Sequence, residues 1–96
     1  MAIKTQSQVL AWSESNIGNA PDACGVYTLR TGTSLESIGY IGYAGARRLK
    51  SRLMEHWTSR DRPQTTHFCW TECTDEKNAQ ELEQSWISKY KPPWNG

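Results

Sequence analysis

Residues 75–90 (DEKNAQELEQSWISKY) put an acidic side chain where a helix ought to be apolar. At about 100° per residue, Ala79, Leu82, Trp86, Ile87 and Tyr90 fall in one stripe, and Glu83 lands inside it. Glu81, two residues earlier, points the opposite way. A carboxylate on a buried face is costly unless it is paired, hydrogen-bonded or bound to a metal. A helix that packs through this stripe must therefore bring something to Glu83 that compensates its charge.

The rest of the chain supplies layers for that helix to pack on. Residues 25–30 (GVYTLR) and 38–43 (IGYIGY) are β-rich and flank the polar, glycine-containing TGTSLES, which predicts an antiparallel hairpin with a longer loop. Residues 66–73 (THFCWTEC) read as a third strand, with Phe68 and Trp70 alternating with His67, Cys69 and Thr71. Residues 46–60 read as a helix whose core face is Ala46, Leu49, Leu53 and Trp57. Residues 6–16 read as a short helix burying Val9, Leu10 and Trp12, broken by the Gly18, Pro21 and Asp22 that follow. The last helix is capped by Thr74 or Asp75, and Pro92-Pro93 ends it. The expected order is α-β-β-α-β-α: an α+β fold with a small three-stranded antiparallel sheet flanked by helices. Ninety-six residues suit one domain, 1–96, in which 1–20 form an N-terminal extension.

With 36% apolar residues and five tryptophans, the chain has the means to fold. Its start, MAIKTQSQ, lacks the apolar run of a signal peptide, and nothing approaches the roughly 18–20 apolar residues of a membrane span. Three cysteines (Cys24, Cys69, Cys73) argue against a disulfide framework. A reduced, cytoplasmic protein that does not engage membranes is expected. His67, Cys69 and Cys73 invite a zinc reading, but strand residues four apart lie about 13 Å apart, so core thiols are expected instead.

The net charge of +1 hides an uneven distribution. Arg47, Arg48, Lys50, Arg52, Arg60 and Arg62 face only Glu55 and Asp61 in their segment, whereas residues 72–83 carry five acids against Lys77. Within the basic segment Arg48, Arg52, His56 and Arg60 recur every four residues, a polar seam that can bracket a phosphate. Two solvated helix faces of opposite sign explain the charges equally well.

Gly25-Val26-Tyr27, Tyr40-Ile41-Gly42, the run Arg52-Leu-Met-Glu-His56, and Glu83 followed by Lys91-Pro92-Pro93-Trp94-Asn95 together resemble the signature of the GIY-YIG nuclease family. The resemblance covers residues 24–95. Each tripeptide alone is weak; five elements in order, with Glu83 singled out separately by its helical phase, are specific. One departure is that Tyr40 and Arg52 are two residues further apart than is usual for the family. The excess falls within Tyr43–Arg48 and leaves Arg48 as a second candidate for the role of Arg52. Tyr43 and Gly45 also stand where the family often has a small or basic residue.

The resemblance implies a metal-dependent endonuclease hydrolysing phosphodiester bonds in nucleic acid, DNA above all. Glu83 would be the protein ligand of one Mg²⁺ (or Mn²⁺), in a pocket shared with the two phenols and a guanidinium. Arg52 would hold the scissile phosphate, and Tyr40 would position the attacking water. Tyr27 resembles the proposed general base. An ordinary tyrosine titrates about three units above neutrality, so that role requires roughly 4 kcal/mol of differential stabilisation. His56 titrates nearer neutrality and is the rival base or a proton relay. Arg47, Arg48, Lys50 and Arg60 would contact the nucleic-acid backbone, Gly25 and Gly42 would allow close packing at the site, and Asn95 would tie down the tail. Taken without the motif, Tyr27 and Tyr40 are ordinary core aromatics. Family members usually take specificity from an attached recognition domain, and none is evident here, so DNA structure, a protein partner or self-association is expected to supply it. The alternative, of another class, is a non-catalytic nucleic-acid-binding or interaction module that kept the fold and lost turnover.

Overall fold

A computed structural model describes residues 3–95. Strand β1 (Ile3–Gln6), strand β2 (Leu10–Ala11) and a single helical turn α1 (Glu14–Ile17) are followed by β3 (Gly25–Arg30) and β4 (Ile38–Ala44). Helix α2 (Leu49–Ser59), strand β5 (His67–Cys73), helix α3 (Glu76–Tyr90) and a final 3₁₀ turn (Pro93–Asn95) complete the chain. All pairings are antiparallel, in the order β1-β5-β3-β4, with β2 also on β5. The predicted α+β class and hairpin hold, but the sheet has five strands rather than three.

The two extra strands lie where a helix over 6–16 was expected. β5 would otherwise present an open edge, and unpaired edge groups are a liability. β1 covers the half at Thr71–Cys73 and β2 the half at His67–Phe68. Between them Ser7 keeps the ladder closed: its N–H donates to Trp70 O and its hydroxyl accepts from Trp70 N–H. The apolar spacing of Val9, Leu10 and Trp12 suggests a helix, but this non-local pairing outweighs it. Helix is confined to Glu14–Ile17, where the Ser13 hydroxyl accepts from Asn16 N–H as the N-cap.

β3 is buried along its whole length, because both sheet faces are covered. On one face Tyr27, Leu29, Ala44 and Phe68 pack against Ile17 of α1 and Leu49 and Leu53 of α2. On the other, Val26, Ile41 and Cys73 pack against Ala79 and Leu82 of α3, with Trp86, Ile87 and Tyr90 partly covered. Cys69 and Cys73 are buried thiols. Truncating a fully buried leucine such as Leu53 to alanine should cost about 2–5 kcal/mol.

α2 begins at Leu49, not at 46. Gly45–Arg48 form a turn closed by Arg48 N–H to Gly45 O, with Arg47 left-handed at φ 59°. Ala46 is consequently exposed rather than part of the core face. Asp75 caps α3 through Asn78 N–H, and left-handed Lys91 ends it. Among the described residues no helix is long and apolar enough to cross a membrane.

Candidate active site

The sheet face under α2 gathers the aromatic site residues. Tyr27 on β3 stands opposite Gly42 on β4, and a Cβ at Gly42 would collide with the Tyr27 phenol. That glycine is the space the ring occupies. Gly25 has a different reason: a Cβ there would strike the Thr71 backbone of β5. Tyr40, two residues before Gly42, shares the face, its ring 6.2 Å from that of Tyr27.

The Tyr27 hydroxyl lies 2.8 Å from Nε2 of His56, in the last turn of α2. Arg60 then ends the helix in a left-handed conformation, φ 53°, which turns the chain so that Asp61 faces back toward His56. Both Asp61 carboxylate oxygens lie 3.0 Å from His56 Nδ1. A carboxylate only accepts, so Nδ1 carries a proton; in the neutral imidazole Nε2 is then the free lone pair, and the Tyr27 O–H donates to it. Asp61, His56 and Tyr27 thus form one hydrogen-bonded line. The Tyr40 ring meets His56 edge-on at 5.4 Å, and the Arg62 guanidinium covers the Tyr40 ring at 4.6 Å.

Tyr27 is fully buried, and this burial pushes its phenol well above the usual tyrosine range; Tyr40 adds to the rise, while the positive charge of Arg52 opposes it. The protein alone therefore holds Tyr27 as a neutral phenol at pH 7. Arg52 reaches Glu55 at 2.7 Å, and Arg48 reaches the same carboxylate at 2.6 Å. The seam expected at Arg48, Arg52, His56 and Arg60 is thus divided by Glu55, which gathers its first two members. Arg47, Arg48 and Arg60 are exposed and Lys50 half-buried.

Glu83 comes from α3, across the sheet from α2. It is half-buried while Glu81 is exposed, as their phases predict. Desolvation pushes the Glu83 carboxyl above its ordinary value, with the Gln84 amide, 3.4 Å away, opposing. Among the described residues no basic side chain pairs with Glu83, and no hydrogen bond links it to Tyr27, Tyr40, Arg52 or His56. The tail returns to the sheet: Asn95 accepts from Ile41 N–H at 2.9 Å and donates to Ile41 O at 2.8 Å.

Asp61 and Arg62 are what the sequence reading passes over, since it counts them only as charges. An acid five residues after His56, just past the helix, was the available signal. The reversal that brings it into contact depends on a left-handed arginine, for which no glycine gives warning.

The pattern of the GIY-YIG catalytic domain matches residues 23–96, and the chain belongs to the GIY-YIG family. It has the fold of a metal-dependent endonuclease. The N-terminal endonuclease domain of UvrC from Thermotoga maritima, bound to its catalytic divalent cation, magnesium, shares 27% identity with it, covering 85% of this chain and 93% of that one at a TM-score of 0.71. Two cation-bound point variants of that domain, one tyrosine-to-phenylalanine and one asparagine-to-alanine, match at 26% and 25% identity. Both give a TM-score of 0.72, over 85% of this chain and 93% and 92% of theirs. No curated protein sequence matches the chain significantly.

Proposed function

We propose that this chain is an endonuclease that hydrolyses phosphodiester bonds in DNA with one divalent cation, Mg²⁺ or Mn²⁺. The observation that carries the reading is the Tyr27–His56–Asp61 line beside Arg52: a buried phenol hydrogen-bonded to an imidazole whose far nitrogen is fixed by a carboxylate.

The residues fit the cation. Glu83 is a half-buried carboxylate with no cationic partner among the described residues, and an oxygen ligand suits Mg²⁺, which keeps most of its waters. When bound, the ion would supply positive charge for the phosphoryl oxygens and leaving group. Each other step belongs to the protein. Arg52 binds the scissile phosphate and stabilises the charge that develops on it. Tyr27, fully covered in the free protein, takes the proton of the attacking water when substrate binding opens a path to its hydroxyl, and passes its own to His56 Nε2. Asp61 then stabilises the resulting imidazolium, as the acid of a catalytic triad does. Tyrosine and histidine act here as one relay rather than as rival bases, which eases the pKa difficulty because Tyr27 need never persist as a phenolate. Tyr40 helps position the water, and Arg47, Arg48, Lys50 and Arg60 offer charge to neighbouring phosphates.

The test is cleavage of duplex, branched and single-stranded DNA, with matched RNAs, in Mg²⁺ or Mn²⁺. Metal-dependent cutting, lost on chelation and in Glu83→Gln, is expected. If neither ion supports cleavage of any substrate while binding persists, the chain is a non-catalytic binding module.

A further inference from the structure

Beside the relay lies a polar cavity of about 270 Å³ lined by Trp12, His56, Trp57, Arg60, Arg62 and Thr65, with Pro63. A larger hollow of about 640 Å³ runs along Lys50, Met54 and Thr58 on α2, but none of the Tyr27–His56–Asp61 groups lines it. The smaller cavity touches the chemistry.

Three features give it a ligand. The first is its aromatic wall. Trp12 and Trp57 stand edge to face, ring centres 5.8 Å apart, and both are only partly buried; the Arg60 guanidinium lies 6.0 Å from the Trp57 ring centre, so a base that stacks there displaces it or slides beside it. The second is a pair of unused polar atoms. Thr65 is 8% exposed, and its buried hydroxyl has no hydrogen-bond partner; the buried Nε–H of Arg62 has none either. Both belong to residues that line this cavity. Buried polar groups are normally satisfied, so two orphans at one cavity call for a partner. The third is charge: Arg60 and Arg62 line the cavity, Arg62 sharing Asp61 with His56 and lying over the Tyr40 ring, which leaves Arg60 as the positive side chain without an anionic partner among the described residues.

A planar heterocycle with acceptors on its edge meets all three demands. It can stack on indole and hang from a phosphodiester that the arginines attract, and it can accept from Arg62 Nε–H and the Thr65 hydroxyl once those two covered side chains turn toward it. Nucleobases have this form, and aromatic side chains hold them without regard to sequence. We propose that this cavity is a nucleobase subsite that takes one unpaired base of the substrate strand next to the scissile phosphate. A base in a closed duplex cannot enter, so the subsite makes the chain selective for DNA with an unpaired nucleotide near the cut. The selectivity rests on the nuclease reading, but the subsite can be measured without catalysis.

The probe is a DNA hairpin carrying one unpaired 2-aminopurine nucleotide, compared with the same hairpin in which that base is paired. Titration in EDTA prevents cleavage, and 2-aminopurine emission reports stacking directly. The protein should quench the unpaired probe and bind it at least 5-fold more tightly than the paired one. Trp57→Leu keeps apolar bulk but removes the π-face and should weaken binding of the unpaired probe by about 5- to 150-fold. Thr65→Val, of nearly unchanged shape, should weaken it by about 5-fold. Circular dichroism establishes that each variant is folded, and Thr65→Val decides the matter if Trp57→Leu is not. Equal binding of the two probes, or a preference that survives substitution in the folded variants, overturns the subsite. A Trp57-dependent preference with no cleavage in any metal leaves the subsite standing and sinks the nuclease reading. Cleavage without that preference does the reverse.

Discussion

Removing the charge of Glu83 should separate metal binding from folding. Glu83→Gln keeps the shape of a half-buried side chain and deletes the carboxylate that burial already disfavours. A cation that binds only the native state stabilises it by about 1.4 kcal/mol at ten times its dissociation constant. In a domain of this size that corresponds to a rise in Tm of about 6–11 °C. Thermal unfolding followed by circular dichroism, with Mg²⁺ titrated against chelator, should show this rise in the parent and in Glu81→Gln, whose side chain is exposed, and not in Glu83→Gln. Without metal the order reverses. A carboxyl whose native pKa is raised contributes its stability fully below its ordinary value, near pH 4.5, and loses it as pH rises through the native value. In chelator at pH 7, Glu83→Gln should therefore melt higher than the parent, and the gap should close as pH falls toward 4. If Glu83→Gln gains as much from Mg²⁺ as the parent does, Glu83 is not the ligand and the site assignment fails.

Tyr27→Phe should fold, losing about 1 kcal/mol as His56 Nε2 loses its donor, while cleavage falls by orders of magnitude; a single-turnover rate within ten-fold of the parent would remove Tyr27 from the chemistry. Asp61→Asn lets the side-chain amide donate to Nδ1 and so favours the tautomer with Nε2 protonated; cleavage should drop by roughly 10²–10⁴-fold with the melting curve little changed, and an unaffected rate would make Asp61 a bystander. Gly42→Ala drives a methyl into the Tyr27 ring and should cost about 1–3 kcal/mol as well as activity, read by denaturant unfolding and cleavage together. Because burial raises the Tyr27 pKa, its stabilising contribution is complete below about pH 10 and is lost as pH climbs through the native value; melting temperatures above pH 10 should fall more steeply in the parent than in Tyr27→Phe.

What the sequence disclosed was local or carried by pattern. β3, β4 and β5 show as alternating or β-rich runs bounded by turn residues, and α3 shows through its phase, which also marked Glu83 as more covered than Glu81. The N-terminal strands were hidden because their partner is β5, some sixty residues away, and the apolar positions there fit a helix as well. The start of α2 was misplaced because Arg47 takes a left-handed turn that its residue type does not announce. The same holds for Asp61, brought to His56 by another left-handed arginine. Glycine positions illustrate the opposite case: Gly42 was legible as a site of close packing, but only coordinates say that the packed object is the Tyr27 phenol.

Asn95 has a consequence for assembly. Its carboxamide satisfies both backbone groups of Ile41 and so imitates a neighbouring peptide at the middle of the β4 margin. At the opposite flank β5 is already sheathed by the N-terminal segment. A second copy joining by continuous β-addition at Ile41 would first have to evict that amide, so sheet extension between copies is directed away from β4 and toward the outer edges of β1 and β2.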